Sequence, residues 1–267
     1  MPEPHTFRKT KLVATVGPAS ADSDTLERMI EAGMHVARFN FSHEDHHEHA
    51  RRLTLLRAAS TRLGVPVATM LDTKGAEIRT GSVEHGRVTL VEGTAFRLLT
   101  SDELGDMHGV SISYPALVTQ MEPGHTILIN DGRLELCVES VSEAAVHCRV
   151  VRGGDLTDHK GLNIPSEPIL ADGLNEANQA DLQFAIDHKM DYIAASFMQS
   201  PDDVTQIRSF LEARGASIPI IAKIENAEAL KPLSGIVDVA DGTMVARGDL
   251  GVELQPAEVP AMSLIHI

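Results

Sequence analysis

The chain has very few aromatic residues and very few cysteines, and each shortage excludes a class of protein. Its 267 residues include seven Phe, two Tyr and no Trp, so the aromatic platforms that stack nucleic-acid bases are missing. Two cysteines, Cys137 and Cys148, make no disulfide framework, and we interpret both as reduced, small buried residues of a cytoplasmic protein. The core must therefore consist mainly of Ala, Val, Ile, Leu and Met.

Positive charge is also scarce, because 23 basic residues stand against 38 acidic ones and the formal net charge is −15. An acidic surface repels phosphate backbones, so no nucleic-acid partner is expected. No apolar run approaches the roughly 18 residues that a membrane-spanning helix needs, and the first residues lack the apolar core of a signal peptide. We therefore expect no membrane partner, and a globular chain with one large domain or a domain with a sizeable insertion.

Hydrophobic patterning predicts alternating strands and helices in the first and last parts of the chain. Apolar runs are separated by amphipathic segments, two of which end at Gly64 and Gly215. Parallel strands need crossover connections, so this rhythm predicts a parallel sheet with helices packed outside it. The predicted strands are Lys11–Val16, His35–Phe39, Val65–Leu71, Tyr192–Phe197, Ile218–Ile224 and Thr243–Ala246; the predicted helices are Ser20–Ala32, His43–Leu63, Asn178–His188, Asp202–Arg214 and Glu228–Leu233.

The stretch from about Gly81 to Asn163 breaks this rhythm. Its runs are short and alternate between apolar and polar residues, as in Arg87–Val91. Thr126–Ile129 and Leu134–Val138 flank Asn130-Asp131-Gly132, and Asp-Gly accepts the positive φ angles of a tight hairpin turn. We therefore predict an all-β insertion between the third strand and the next helix.

Polar residues follow four of the predicted strands at their carboxyl ends. Side chains alternate along a strand, so polar residues two apart point the same way, and carboxyl strand ends form the active site of a β/α barrel. Solvent exposure alone also makes strand ends polar, but four ends with complementary charges favour a functional site. The residues are Arg38, Asn40 and Ser42; Asp72, Thr73 and Lys74; Lys223 and Glu225; and Arg247 and Asp249.

The residue types indicate what such a site could bind. Glu225 and Asp249 are hard oxygen donors, and two carboxylates with substrate oxygens and waters suit Mg²⁺. Cationic side chains can neutralise phosphate or carboxylate charge, as phosphoryl transfer requires. The oxygen donors for a second, weakly hydrated cation are Asn40, Ser42, Asp72 and Thr73, and the cations are Arg38, Arg79 and Lys223.

Two other patterns receive a structural interpretation. The His-rich run from His43 to His49 could suggest a transition-metal site, but Glu and His are ordinary on an exposed helix, so we interpret it as a solvated first turn. Arg247 could equally belong to a network of structural salt bridges.

At the strand-end residues the sequence resembles the pyruvate kinase family. The shared strings run in family order over nearly the whole chain, and the β insertion falls where that family carries its lid domain. The resemblance implies an α/β fold: a partial (β/α)8 TIM-type barrel of about six of eight strands, with 1–80 and 166–267 in the barrel and 81–165 as an all-β lid. The strings are KLVATVGPAS (11–20), ARFNFSH (37–43), LDTKGAEIRTG (71–81), INDGRLEL (129–136), KGLNIP (160–165), DYIAASF (191–197), AKIEN (222–226) and ARGDLGVEL (246–254).

The resemblance also implies a reaction and a role for each site residue. The reaction is glycolytic phosphoryl transfer from phosphoenolpyruvate to ADP, giving ATP and, after protonation of the enolate, pyruvate. Lys223 would stabilise charge on the phosphoryl group and the enolate, and the family is usually homo-oligomeric. The implied contacts are Arg38, Lys223, Gly248 and Asp249 to the substrate; Glu225 and Asp249 to Mg²⁺; Asn40, Ser42, Asp72 and Thr73 to K⁺, with Glu77 marking K⁺ dependence; and Asn40, Phe41, Ser42, His43, Arg79 and Lys160 to the nucleotide.

The sequence departs from the family pattern after residue 254. That pattern continues through two more strands and a C-terminal domain, whereas here QPAEVPAMSLIHI follows, so we expect a truncated chain without the Thr that assists proton transfer. Ala76 also stands where the family carries Pro. Two alternatives remain open: an inactive fragment that binds nucleotide or phosphoenolpyruvate, and a Mg²⁺-dependent carbon–carbon lyase acting on 2-oxo acids.

Overall fold

The computed structural model describes residues 9–75, 77–165, 174–254 and 257–260. Ala76 and most of residues 255–267 lie outside these ranges. No helix within them combines the length and apolar character needed to cross a bilayer. Their strands are β1 Leu12–Thr15, β2 Met34–Asn40, β3 Ala68–Asp72, β4 Ile78–Arg79, β5 Arg87–Leu90, β6 Ala95–Leu99, β7 Gly109–Ser111, β8 Thr126–Ile129, β9 Leu134–Val141, β10 Ala145–Arg152, β11 Gly154–Thr157, β12 Gly161–Asn163, β13 Tyr192–Ala195, β14 Ile220–Ile224 and β15 Gly242–Val245; their helices are α1 Ser23–Glu31, α2 His46–Leu63, α3 Glu176–Asp187, α4 Pro201–Glu212, α5 Leu233–Val239 and α6 Arg247–Glu253.

Six strands form a sheet in the order β1-β2-β3-β13-β14-β15, which is also their order along the chain. The first five pair in parallel. Helices connect these strands, except between β3 and β13, where the β-rich segment is inserted ahead of α3. The predicted α/β fold, a partial TIM-type barrel, is therefore confirmed.

The helices of this sheet begin and end where local chemistry dictates. The Asp45 side chain accepts a hydrogen bond from the Glu48 N–H at 2.9 Å, which satisfies a free amide at the start of α2. At the other end Gly64 adopts a left-handed conformation with φ of 64°, as a helix stop requires. Leu53 and Leu56 then present one face of α2 to the core, where both are buried.

The inserted segment forms a seven-stranded sheet in the order β4-β12-β8-β9-β10-β6-β7 and a two-stranded sheet of β5 and β11. Strands β8 and β9 make the predicted antiparallel hairpin. Asp131 and Gly132 both have positive φ, at 56° and 74°, and the Arg133 N–H donates to the Asn130 carbonyl at 3.1 Å. Positive φ at both central positions defines a primed turn, as Asp-Gly predicts.

The chain divides into two compact units. One comprises the described residues within 1–75, 173–223 and 234–244, and the other those within 76–172, 224–233 and 245–267. The second unit has its own apolar core, in which Phe96, Leu98, Val110, Ile127 and Leu136 are fully buried.

Two helices lie where the sequence indicated something else. The predicted helix Glu228–Leu233 is a short 3-10 turn at Glu228–Leu230 followed by α5. Pro232 separates them because it has no N–H to donate to a continuous helix. Arg247–Glu253 is helical rather than an extended strand end, because the buried Leu250 anchors α6 despite the low helix propensity of its two glycines.

Both cysteines are free thiols, as predicted. Cys137 lies opposite Arg149 in the β9–β10 ladder, so Cys148, the neighbour of Arg149, points to the other face of the sheet. Cys148 is buried, whereas Cys137 is only half-buried. Burial raises the pKa of the Cys148 thiol to about 12, so this side chain is an unreactive part of the core.

Gly75 lies just after the end of β3. We expect Gly75→Ala to lower the free energy of unfolding of the first unit by about 2–4 kcal/mol. Its φ is +70°, and an added Cβ would lie 2.7 Å from Phe197 Cδ2 and 2.8 Å from Ser196 Cβ. The methyl group would therefore be both strained and in collision. Urea unfolding followed by circular dichroism measures the loss.

Gly64→Ala is the matched control, because Gly64 has a similar φ of +64° but no atom lies within 4 Å of its added Cβ among the described residues. This variant should lose only the conformational part, about 1 kcal/mol. Equal losses for the two variants would contradict the steric explanation.

Candidate functional site

A buried carboxylate joins two of the predicted cationic residues in the first unit. Asp72, at the end of β3, is fully buried. Its Oδ2 accepts a hydrogen bond from Arg38 Nε at 2.5 Å, and its Oδ1 accepts one from Lys223 Nζ at 2.9 Å. Arg38 lies on β2 and Lys223 on β14, so three strands contribute to one ion-paired group. Paired charges are the form in which such groups tolerate burial.

Two hydroxyl groups that the sequence analysis missed complete this group. Thr15 Oγ1, on β1, accepts a hydrogen bond from Arg38 Nη1 at 2.7 Å. Ser196, directly after β13, accepts one from Lys223 Nζ at 2.8 Å and contacts Asp72 Oδ1 at 3.1 Å. Ser196 is a polar residue at the end of β13, but the predicted strand Tyr192–Phe197 placed it inside the strand and so concealed this signal.

The Asn40–His43 turn follows β2 beside Asp72. Asn40 and Asp72 are register partners in the parallel pair β2–β3. The Phe41 N–H donates to the Asp72 carbonyl at 2.9 Å, and Asn40 Oδ1 accepts the Ser42 N–H at 3.1 Å. The turn is thus fixed by the backbone of β3. Of the predicted K⁺ ligands, Asn40 and Asp72 end the adjacent strands β2 and β3, and Ser42 and Thr73 follow those strands.

His49 lies under this turn, and its burial corrects our interpretation of the His-rich run as wholly solvated. The imidazole is stacked on Phe41, with ring centroids 4.1 Å apart and planes 9° apart. Its Nε2 lies 2.9 Å from the His43 carbonyl oxygen, which can only accept, so Nε2 carries the proton. Among the described residues Nδ1 is buried with no hydrogen-bond partner.

An ion pair secures the next residue of the same segment. Glu44 has a positive φ of 67°, which is unfavourable for a residue with a Cβ. Its carboxylate pairs with the guanidinium of Arg52, a buried side chain of α2, through both terminal nitrogens. This pairing holds the pKa of Glu44 below its ordinary value.

Stability should fall in weak acid because of His49. Burial lowers the pKa of its imidazole below the ordinary value of about 6.5, so the unfolded chain takes up this proton more readily than the folded one. The contribution of His49 is therefore constant above pH 6.5 and decreases as the pH falls from there to the folded-state pKa. His49→Phe, which retains a ring against Phe41, should flatten this slope in urea unfolding measured across that range.

Asp181 provides the internal contrast for this pH experiment. Its carboxylate bonds to His46 Nε2 at 2.7 Å, and burial raises its pKa. When the folded state has the higher carboxyl pKa, it binds the proton more tightly than the unfolded chain. The contribution of Asp181 to stability therefore increases as the pH falls, opposite to that of His49. A steeper acid loss in His49→Phe than in the unaltered chain would contradict the role given to His49.

The second unit holds two of the predicted nucleotide residues in neighbouring positions. Arg79 pairs with Gly161 across β4 and β12, and the adjacent Thr80 N–H donates to the Lys160 carbonyl at 2.8 Å. Glu77 Oε2 accepts hydrogen bonds from Arg79 Nε at 3.0 Å and Nη2 at 2.7 Å. Glu77 therefore orients the guanidinium of Arg79.

The predicted Mg²⁺ ligands also belong to the second unit. Glu225 directly follows β14 and is buried. Gly248 and Asp249 are exposed in the first turn of α6, so the strand alternation used to align Asp249 with Arg247 does not apply there. Within the described ranges no three or more His, Cys, Asp or Glu side chains form a metal-binding group. Two hard carboxylates fit Mg²⁺ in their chemistry if substrate oxygens and waters complete its shell.

One further carboxylate of α6 was not anticipated. Glu253 accepts hydrogen bonds from the Ala227 N–H at 3.0 Å and from Asn163 Nδ2 at 3.2 Å. Burial raises its pKa, and Asp249 is among the charges that add to the rise. Glu253 therefore links α6 to the backbone just after Glu225.

Comparisons with known proteins identify the family of the chain. A family model described as the barrel domain of pyruvate kinase matches residues 7–266. The chain is 46% identical over 263 residues to a pyruvate kinase of Geobacillus stearothermophilus, covering 97% of this chain and 45% of that protein. It is 44% identical over 257 residues to one of Staphylococcus saprophyticus, covering 95% and 44%.

A solved structure gives the same result for the fold. The crystal structure of a pyruvate kinase from Cryptosporidium parvum superposes with a TM-score of 0.87 at 36% identity, covering 95% of this chain and 54% of that chain. The chain thus spans about half the length of the relatives that it matches.

Proposed function

Because the chain belongs to the pyruvate kinase family, we propose that it transfers the phosphoryl group of phosphoenolpyruvate to ADP, yielding ATP and pyruvate. The observation that carries the proposal is the Arg38–Asp72–Lys223 group, in which two cations from separate strands meet at one buried carboxylate. Phosphoryl transfer depends mainly on positioning and on fixed positive charge, and this group supplies both.

The residues of the first unit would bind the substrate. The Lys223 ammonium would stabilise charge on the phosphoryl group and the enolate, and the Arg38 guanidinium would bind the phosphate. Asn40, Ser42, Asp72 and Thr73 offer neutral and anionic oxygens that suit K⁺. Asp72 already accepts side-chain hydrogen bonds from Arg38 and Lys223, and its other lone pairs could contact a weakly bound monovalent ion.

The residues of the second unit would bind the nucleotide and the divalent ion. Arg79, oriented by Glu77, and Lys160 would contact the ADP phosphates. Glu225 and Asp249 would hold Mg²⁺. When bound, Mg²⁺ would neutralise charge on the transferred phosphoryl group.

Pyruvate formation by the purified chain tests the proposal. With phosphoenolpyruvate, ADP, Mg²⁺ and K⁺ present, coupling to lactate dehydrogenase should show NADH oxidation that requires all four. Binding of phosphoenolpyruvate without turnover would favour the binding fragment, and cleavage of a 2-oxo acid without nucleotide would favour the lyase. If the chain neither binds phosphoenolpyruvate nor forms pyruvate, the proposed site is rejected.

A further inference from the structure

We propose that Ser196 is a positioning residue, whose hydroxyl holds the Lys223 ammonium in place against Asp72. The inference rests on the proposed function to the extent that Lys223 is the group that meets phosphoenolpyruvate. Three buried side chains carry it: Asp72 is 0% exposed, Ser196 3% and Lys223 7%. Each of the three contacts the other two.

The hydroxyl of Ser196 is oriented to accept from the ammonium. Ser196 Oγ lies 2.7 Å from the Thr73 carbonyl oxygen and 3.1 Å from Asp72 Oδ1. A hydroxyl has a single proton, and the shorter contact to the carbonyl takes it. The oxygen lone pairs then face Lys223 Nζ at 2.8 Å. A hydrogen bond to a charged donor is stronger than one between neutral groups.

The backbone of Ser196 is held in place by its neighbours after β3. The Ser196 N–H donates to Thr73 Oγ1 at 3.0 Å. The following residue, Phe197, has a positive φ of 57°, and Gly75 approaches so closely that an added Cβ would lie 2.8 Å from Ser196 Cβ. Strained backbone persists only where its surroundings hold it. The hydroxyl therefore has little freedom to follow a moving lysine.

This arrangement addresses the flexibility of the lysine side chain. A Lys side chain has four rotatable bonds, and fixing it costs conformational entropy that must be met before the substrate arrives. With Ser196 and Asp72 both accepting from Nζ, the ammonium is held at a defined point. Removing the hydroxyl takes away one acceptor at a buried position.

Amine reactivity of the ligand-free 267-residue chain tests the inference. Lysines are acetylated with acetic anhydride, and the rate at each lysine is read by mass spectrometry. Ser196→Ala should raise the labelling rate at Lys223 about tenfold, the factor expected for one lost hydrogen bond to a charged group, with other lysines unchanged. Ser196→Cys, which keeps a weak acceptor, should give a smaller increase and carries the comparison if the alanine variant does not fold.

Thr69→Val is the matched control. Thr69 is a buried hydroxyl of β3 that bonds to Asp191 at 2.8 Å, so its loss perturbs the same sheet. An unchanged rate at Lys223 in Ser196→Ala, or an equal increase in Thr69→Val, would overturn the inference. Protection of Lys223 by phosphoenolpyruvate with Mg²⁺ in the unaltered chain is a separate readout: its absence counts against the proposed function and leaves the labelling comparison valid.

Discussion

Replacing Asp72 by alanine is expected to lower the free energy of unfolding by about 3–5 kcal/mol. The reason is the charge that remains, because the buried Lys223 and the half-buried Arg38 would both lose their carboxylate. Breaking a buried pair by removing one partner costs more than the pair contributes, since the other charge stays desolvated. Urea unfolding followed by circular dichroism measures the change.

Two further variants separate charge from shape. Asp72→Asn keeps the size of the side chain and one acceptor oxygen but removes the negative charge, so it should lose nearly as much stability as the alanine variant. Asp102→Ala removes an exposed carboxylate and should change stability by less than about 0.5 kcal/mol. A loss under 1 kcal/mol in Asp72→Ala would refute the bridging role.

Replacing Lys223 by methionine is expected to reduce pyruvate formation by roughly 10²–10³-fold, the range that removal of one charge-stabilising group produces. The fold should survive, because Asp72 keeps its ion pair with Arg38 and methionine fills a similar volume. The coupled pyruvate assay measures turnover, and calorimetric titration with phosphoenolpyruvate measures affinity.

Lys231→Met is the control for this prediction. Lys231 is exposed and pairs with Glu228 one helical turn away, so its loss should leave turnover and affinity within a factor of two. If Lys223→Met retains more than a tenth of the turnover of the unaltered chain, another cation performs the role assigned here to Lys223.

Local signals in the sequence were sufficient for much of the fold. The two ends of α2 could be predicted from Asp45 and Gly64, because a helix cap and a left-handed stop each depend on only a few neighbouring residues. The same holds for the hairpin turn at Asp131-Gly132, where the required φ angles exclude most other residue pairs. The pairing of Arg38 with Asp72 could also be predicted. Both residues lie at the carboxyl ends of strands that are consecutive in sequence and adjacent in the sheet.

The features that sequence reasoning missed depend on packing between distant segments. Ser196 contacts Thr73 and Asp72, which lie 123 and 124 positions earlier in the chain. These contacts form because β13 lies next to β3 in the sheet although the inserted segment separates the two strands in sequence. His49 stacks on Phe41, which in turn contacts Phe184 of α3 with ring centroids 5.2 Å apart. The helical start at Arg247 is decided by where Leu250 is buried, which outweighs the low helix propensity of two glycines.

The shared carboxylate at Asp72 also limits how such a chain can change over generations. Loss of Asp72 leaves two cations without their carboxylate, and loss of Arg38 or Lys223 leaves Asp72 with one cation instead of two. Joint replacement of all three by apolar residues of similar volume would be close to neutral for folding. Because mutations usually occur one at a time, a chain that replaces this group must pass through single variants that are less stable than either end point. A descendant released from selection for catalysis would therefore keep this trio long after the rest of its chemistry had decayed.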